Sequence, residues 1–197
     1  EINENIIIAK DYLGSAYLPE FNFNGIGDMI PGQGYHLKVS NETILYFHSN
    51  EEPYRTSTLD VIDAKTSHYN SVKATDNNMT IIIDDHAWDI LPSANSEISA
   101  FDSSGFMVGS TRYTSPVTVL TLWGDDHTNE SKVGLANFEA SNFELWSDGD
   151  VKSFNIEKWS VGSNRYEVNA VNIAESISVT NTNEAELAHK KRVRTIN

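Results

Sequence analysis

The apolar residues of this chain fall into short runs, and this distribution constrains the fold more than any other feature of the sequence. Runs rich in β-branched residues, such as residues 79–83 and 117–123, recur along the chain and are separated by Gly, Asn, Asp, Ser or Pro. Helical periodicity is almost absent. Short runs at regular spacing are typical of sandwiches and barrels. The pattern therefore predicts an all-β fold, an antiparallel β-sandwich of the jelly-roll or immunoglobulin-like kind, with a small N-terminal β subdomain.

The predicted strands share this alternating or β-branched character. They cover residues 6–10, 35–39, 43–48, 79–83, 97–101, 107–113, 117–123, 142–146, 155–159, 166–171 and 173–179. Two hairpins are marked by turn residues, with Gly105 in one and Gly149 in the other. Residues 54–68 have mixed periodicity, so a short helix is open there, although a linker is the simpler interpretation.

Charge and composition exclude several classes of protein. The 197 residues include 14 Lys and Arg against 28 Asp and Glu, a formal charge of −14. Nucleic acids and anionic lipid surfaces need clustered cations, so neither is an expected partner. The chain has no cysteine, which excludes thiol catalysis and disulfides. No apolar run approaches the ~20 residues of a membrane helix, so we expect no membrane insertion.

Composition also suggests how the chain is organised. Residues 1–48 are predicted to be an N-terminal β segment that supports, or remains from, an upstream module. The polar residues 49–78 are predicted to be a linker, and residues 79–180 a β-sandwich module. Residues 181–197 form a polar and then basic tail. The sequence starts without Met or a signal peptide, so we expect a fragment of a longer chain.

Three segments of the chain contain distinctive motifs. Residues 16–35 contain "YLPE…NGIG…PGQGY", residues 97–146 contain "AFD…VGS…WGDD…LW", and residues 190–197 form a short basic run. They resemble, in that order, a module signature, a β-module and the opening strand of a C-terminal sorting domain in secreted, multi-module surface proteins of the Bacteroidota that use the type IX secretion route. The resemblance implies an extracellular or outer cell-surface location and a β-module architecture. It implies no reaction, because such modules occur in enzymes, adhesins and structural proteins alike.

Acidic pairs at predicted strand ends are candidate calcium ligands. Asp125 with Asp126, and Asp148 with Asp150, are placed where they could share one end of the sheet. Calcium prefers carboxylate and carbonyl oxygens clustered on loops. The alternative is that Asp is simply a favoured turn residue, and calcium is the one cofactor for which the sequence offers candidates.

No catalytic constellation is predicted. Glycoside hydrolysis needs two acids at a defined separation, and nothing in the sequence places two of the nominal candidates at that separation. These candidates are Asp84, Asp85, Glu97 and Glu139. Neither a paired-histidine zinc motif nor a Gly-x-Ser-x-Gly elbow occurs. The chain is therefore predicted not to be an enzyme.

Two tryptophans are candidate ligand-binding residues. Strand alternation places Phe143 and Leu145 on one face and Trp146 with polar residues on the other, and it places Trp159 on a similarly polar face. Aromatic platforms on a sheet hold sugar rings or anchor protein contacts. The alternative is that one or both cover an edge of the core. Trp123, in a run that is apolar on both faces, is predicted to be buried.

These observations favour a non-catalytic extracellular β-module with a structural or adhesive role, whose partners are neighbouring modules or copies of itself. The alternative is a carbohydrate-binding module of a polysaccharide-degrading or glycan-adhering protein, with polysaccharide as its partner. A hydrolase fragment is the third hypothesis.

Overall fold

The structure is a computed structural model that describes residues 5–46, 60–126 and 131–180. The chain divides into two compact units, Glu1–Ala64 and Lys65–Asn197. This boundary falls inside the range 49–78 that the sequence suggests as a linker. In the described ranges, no helix is long and apolar enough to cross a membrane.

The first unit contains a small antiparallel sheet. Its strands are β1 (Ile6–Lys10), β2 (Ala16–Leu18), β3 (Phe23–Asn24) and β4 (His36–Val39), in the spatial order β3-β2-β1-β4. A single 3-10 turn at Pro19–Phe21 links β2 to β3. Ile8, Leu18 and Phe23 are buried, and they form the small apolar centre of the unit.

The second unit is built on one seven-stranded sheet. Its strands are β5 (Asn78–Asp84), β6 (Glu97–Phe101), β7 (Met107–Arg112), β8 (Val117–Trp123), β9 (Asn142–Ser147), β10 (Asp150–Val161) and β11 (Val171–Val179). The spatial order is β7-β6-β9-β10-β11-β5-β8. All neighbouring pairs are antiparallel except β11 and β5, which are parallel. A 3-10 turn at Asp85–Ala87 follows β5.

The sheet curls around a single core until its two edge strands meet. Side chains from every one of its strands contribute to this core, among them Met79, Leu120 and Phe154. At the closure, a Cβ added to Gly109 of β7 would lie 2.4 Å from the carbonyl oxygen of Thr121 in β8. The backbones of β7 and β8 therefore touch at a point where no side chain fits, and the apolar face is sealed there.

The predicted all-β class and the small N-terminal β subdomain are confirmed. Both predicted hairpins are present, and Asp148 and Gly149 have φ of 53° and 94° in the turn between β9 and β10. The strand predicted over 43–48 is wrong for residues 43–46, which are irregular, and residues 166–170 are irregular too. Residues 60–68 contain no helix. The predicted basic tail and sorting-domain match lie outside the described residues.

Replacing Gly109 with Ala tests the closure of the sheet. The added methyl group would meet the backbone of Thr121, which cannot move without shifting β8. We expect a loss of about 2–3 kcal/mol in the free energy of unfolding, measured by urea denaturation. The matched control is Gly34→Ala, because nothing lies within 4 Å of a Cβ added there. Equal stability of the two variants would contradict the closure.

Candidate functional site

The face of β6 and β9 that points away from the core carries the candidate site. The register pairs Glu97 with Trp146 and Ser99 with Glu144. The alternate residues of both strands point into the core, and in β9 Phe143 and Leu145 are only 4% and 5% exposed. The predicted facing of β9 is therefore confirmed, with Trp146 on the outer side.

Residues 67–69 cross this outer face as a strap that one carboxylate holds in place. Glu97, which is 1% exposed, accepts hydrogen bonds from the backbone N–H groups of Ser67 at 2.6 Å, His68 at 2.9 Å and Tyr69 at 3.0 Å. The Ser67 hydroxyl donates a further bond of 2.8 Å to the same carboxylate. Successive N–H groups that converge on one anion in this way form a backbone nest.

The nest changes the acidity of Glu97. Burial alone would raise its pKa, but the hydrogen bonds from Tyr69, Ser67 and His68 outweigh burial and hold the pKa below its ordinary value. The carboxylate is therefore charged at neutral pH, and its bonds to the strap are charge-assisted.

Aromatic rings of the strap cover part of the outer face. The His68 ring lies on the Trp146 indole, with ring centroids 4.7 Å apart and planes 9° from parallel. The Tyr69 hydroxyl donates to Glu144 at 3.3 Å, and its ring meets Phe101 edge-on at 6.3 Å. Burial first, and the Glu144 carboxylate second, raise the pKa of Tyr69. One ring surface of Trp146 is thus already occupied by a side chain of the protein.

Ser99 lies on the same outer face beneath this cover. Its side chain is fully buried, and its hydroxyl has no hydrogen-bond partner in the described part of the chain. A buried hydroxyl without a partner costs free energy. Ser99, which lies opposite Glu144 in the register, is therefore a buried polar group that the described residues leave unsatisfied.

Trp159 occupies a different environment from the one that alternation predicts. The pairing of β10 with β11 shifts register between Ile156 and Lys158, between Lys158 and Trp159, and between Trp159 and Val161. These bulges change the facing of the strand, and Trp159 packs against the core instead of standing on a polar face. Its predicted facing is wrong, so Trp146 and Trp159 do not form one platform. Trp123 is 5% exposed, as predicted.

The candidate calcium ligands do not share one end of the sheet. Asp125 and Asp126 follow the end of β8, which lies beside the starts of β5 and β11. Because β10 is antiparallel to β11, it begins at the opposite end, where Asp148 and Asp150 lie. The prediction of a shared end is wrong. In the described ranges, no group of three or more His, Asp or Glu side chains is placed to hold a metal ion.

Asp125 and Asp148 accept hydrogen bonds within loops of the second unit. Asp125 accepts the N–H of Val133 at 2.8 Å and closes the loop after β8. Asp148 accepts the Ser93 hydroxyl at 3.2 Å. These contacts fit the alternative interpretation, in which Asp is present as a turn residue.

The adjacent acids Asp84 and Asp85 also serve a turn. Asp84 accepts the N–H of His86 at 2.8 Å and contacts its ring, and this backbone bond is the main cause of its lowered pKa. Asp85 accepts the hydroxyls of Tyr113 at 2.7 Å and Ser115 at 2.6 Å. Burial, followed by the bond to Asp85, raises the pKa of Tyr113 to about 12. The two carboxylates thus accept the hydrogen bonds that hold the turn after β5 in place.

A second ionic cluster lies at the opposite end of the sheet. Lys132 donates to Asp102 at 2.7 Å and to Glu139 at 2.8 Å. Asp102, which is 1% exposed, also accepts the N–H groups of Ser104 and Phe106, both at 2.8 Å. Burial would raise the pKa of Asp102, but these bonds, with that to Lys132 the largest, hold it well below its ordinary value. Glu139 is therefore part of a structural ion cluster.

No pattern in the sequence predicted that Lys132 and Asp102 belong to one cluster. Asp102 carries the usual turn signal of a hairpin, but the distance of 30 residues between it and Lys132 leaves no local pattern. The strap was missed for the same reason. Comparisons with protein-family models, with curated proteins and with solved structures find no match.

Replacing Glu97 with Gln tests the strap. The neutral amide keeps one acceptor but loses the charge-assisted bonds, so we expect a loss of about 2 kcal/mol at pH 7 by urea denaturation. The folded pKa of Glu97 is lowered from its ordinary value of 4.5. Its contribution is therefore complete above pH 4.5 and is lost as the pH falls through the folded pKa.

The variant should accordingly lose less stability than the wild type as the pH falls below 4.5. The control is Glu157→Gln, because Glu157 is exposed and accepts a single side-chain bond, from Ser178. If Glu97→Gln and Glu157→Gln had the same stability and acid dependence, the strap would not depend on the Glu97 charge.

Replacing Lys132 with Met tests the second cluster. It would leave Asp102 and Glu139 facing each other without the cation between them. We expect a loss of about 1–2 kcal/mol in the free energy of unfolding, less than for a fully buried pair because the Lys132 side chain is 39% exposed. Lys158→Met, at an exposed position of β10, should cost less than half as much. If Lys158→Met lost more stability than Lys132→Met, Lys132 would have no structural role.

Proposed function

We propose that the chain is a non-catalytic β-module of an extracellular or cell-surface protein, with a structural or adhesive role. The observation that carries the proposal is that the candidate acidic side chains are engaged in structural hydrogen bonds. Each of the four candidates for hydrolysis is an acceptor within a turn, the strap or an ion cluster, namely Asp84, Asp85, Glu97 and Glu139. A general acid or nucleophile must instead face substrate.

Exposed apolar side chains of the first unit support an adhesive role. Tyr12, Ile30, Ile44 and Tyr46 are 61%, 56%, 68% and 70% exposed. Apolar side chains that are exposed close together mark interaction surfaces, and Ile44 and Tyr46 lie two positions apart in one segment. The edge strand β4 of the same unit adds main-chain groups to which a further strand can pair. Neighbouring modules or further copies of the chain are the partners this surface suits.

The extracellular location is an inference from the sequence. It rests on the resemblance to exported multi-module proteins and on the acidic surface, rich in Asn, Ser and Thr, that suits a solvated exterior. The absence of cysteine agrees equally with either redox compartment and does not decide the location.

Carbohydrate binding is the second candidate function, and the outer face of β9 favours it. Trp146 is half-buried there among Tyr69, His68 and Glu144. Aromatic rings beside polar groups on a sheet surface are suited to the apolar faces and hydroxyls of sugars. Carbohydrate binding differs from adhesion in its partner, a polysaccharide, but it is also a non-catalytic function.

A bead assay tests the proposed function. Beads that carry the full chain should cluster with one another, and a double variant Ile44→Ser and Tyr46→Ser should cluster several-fold less. The control is the double variant Ile90→Ser and Leu91→Ser, which removes equally exposed apolar groups from the second unit.

The same preparation is incubated with a panel of glycoside, ester and peptide substrates. Clustering without turnover is the expected result. Turnover of any substrate that is lost in Glu139→Gln or Asp85→Asn would contradict a non-catalytic role, and beads that stay dispersed would contradict adhesion between copies.

A further inference from the structure

The outer face of the sheet continues beyond the strap as a strip of polar side chains. Glu144 of β9 lies opposite Ser153 of β10, and Asn155 of β10 lies opposite Ser178 of β11. These four residues, called the polar strip below, point away from the core because Phe154, between Ser153 and Asn155, points into it and is 1% exposed. Successive outward positions on β10 are about 7 Å apart.

The strip has open hydrogen-bonding groups. Ser153 and Asn155 are exposed, and neither side chain has a hydrogen bond with any residue in the described ranges. Glu144 accepts only the long bond from Tyr69 among these residues, which leaves its carboxylate further acceptor capacity. A hydroxyl and an amide can each donate and accept, so the strip offers both kinds of group along one line.

The strap forms a wall along one side of the strip. His68 is stacked on Trp146 and the Tyr69 hydroxyl donates to Glu144, so both side chains lie over β9, the strand next to β10. Glu97 holds both residues by their backbone N–H groups. A molecule that lay along β10 would therefore have polar groups beneath it and aromatic side chains beside it. Because Glu97 already holds these side chains in place, binding would not have to order them.

The chemistry of this surface selects among ligands. The buried centre of a protein–protein interface is more apolar than its rim, whereas all four residues of the strip are polar and Val151, opposite Trp146, lies at its margin. A sugar chain presents hydroxyls that donate and accept, together with C–H faces that contact aromatic rings. The strip matches that combination.

The charge of this face further restricts the class of ligand. Glu144 and Glu157 lie on this face, and Lys158 lies farther along β10, in a chain of net charge −14. Uronate and sulfate groups would be repelled, while neutral sugars would not.

From these observations we propose that the outer face of β9, β10 and β11 binds a neutral linear polysaccharide along the polar strip, beside the wall of His68 and Tyr69. The proposal rests on carbohydrate binding, the second candidate function. It gives that function a ligand class, a site and a direction along β10.

The test is affinity electrophoresis of the full chain in gels that contain hydroxyethyl cellulose, laminarin, galactomannan or xylan, with alginate and carrageenan as acidic counterparts. At least one neutral polysaccharide should retard the protein, and neither acidic one should. The double variant Ser153→Ala and Asn155→Ala should bind about tenfold more weakly, because it removes two neutral hydrogen-bonding groups.

The matched control is the double variant Asn137→Ala and Ser163→Ala, which removes the same groups from exposed positions outside the strip, and its affinity should equal that of the wild type. If the Ser153 and Asn155 variant kept its retardation, the site would be wrong although the protein binds sugar. Retardation by acidic polysaccharides alone would overturn the ligand class. If no polysaccharide retarded the protein, the site and carbohydrate binding would both fail, whereas the bead assay would still decide on adhesion between copies.

Discussion

The outer surface of the second unit depends on one constraint, the burial of the Glu97 carboxylate. A charged oxygen that is removed from water must be met by donors, and here the donors are consecutive backbone N–H groups of residues 67–69. The requirement fixes where the chain runs after the boundary at Lys65. It also determines where His68 and Tyr69 stand, and hence which side of Trp146 is covered.

The same use of carboxylates recurs at both ends of the sheet. Asp85 gathers the hydroxyls of Tyr113 and Ser115 at one end, and Asp102 with Lys132 organises the loops at the other. Between them, the closure at Gly109 encloses the apolar core. The acidic character of the chain is thus partly structural, because many carboxylates are acceptors for turns. The polar face of β10, with Ser153 and Asn155, is open to solvent.

Local patterns predicted much of the fold and little of the site. Alternation in β9 placed Phe143 and Leu145 correctly, because that strand is regular, whereas bulges that no local pattern marks reversed the facing of Trp159. The ends at which Asp125 and Asp148 lie follow from the parallel pairing of β11 with β5, which is a long-range property. The strap resembled a linker because its stabilising partner, Glu97, lies 28–30 residues away.

Hydrogen–deuterium exchange of individual amides tests the central claim most directly. If the Glu97 carboxylate holds the strap, the amides of Ser67, His68 and Tyr69 will exchange as slowly at pH 7 as those in β6 and β9. In Glu97→Gln, the three should become fast while the strands stay protected. Fast exchange of these amides in the wild-type protein would contradict the account, because the buried carboxylate would then not be bonded to the strap.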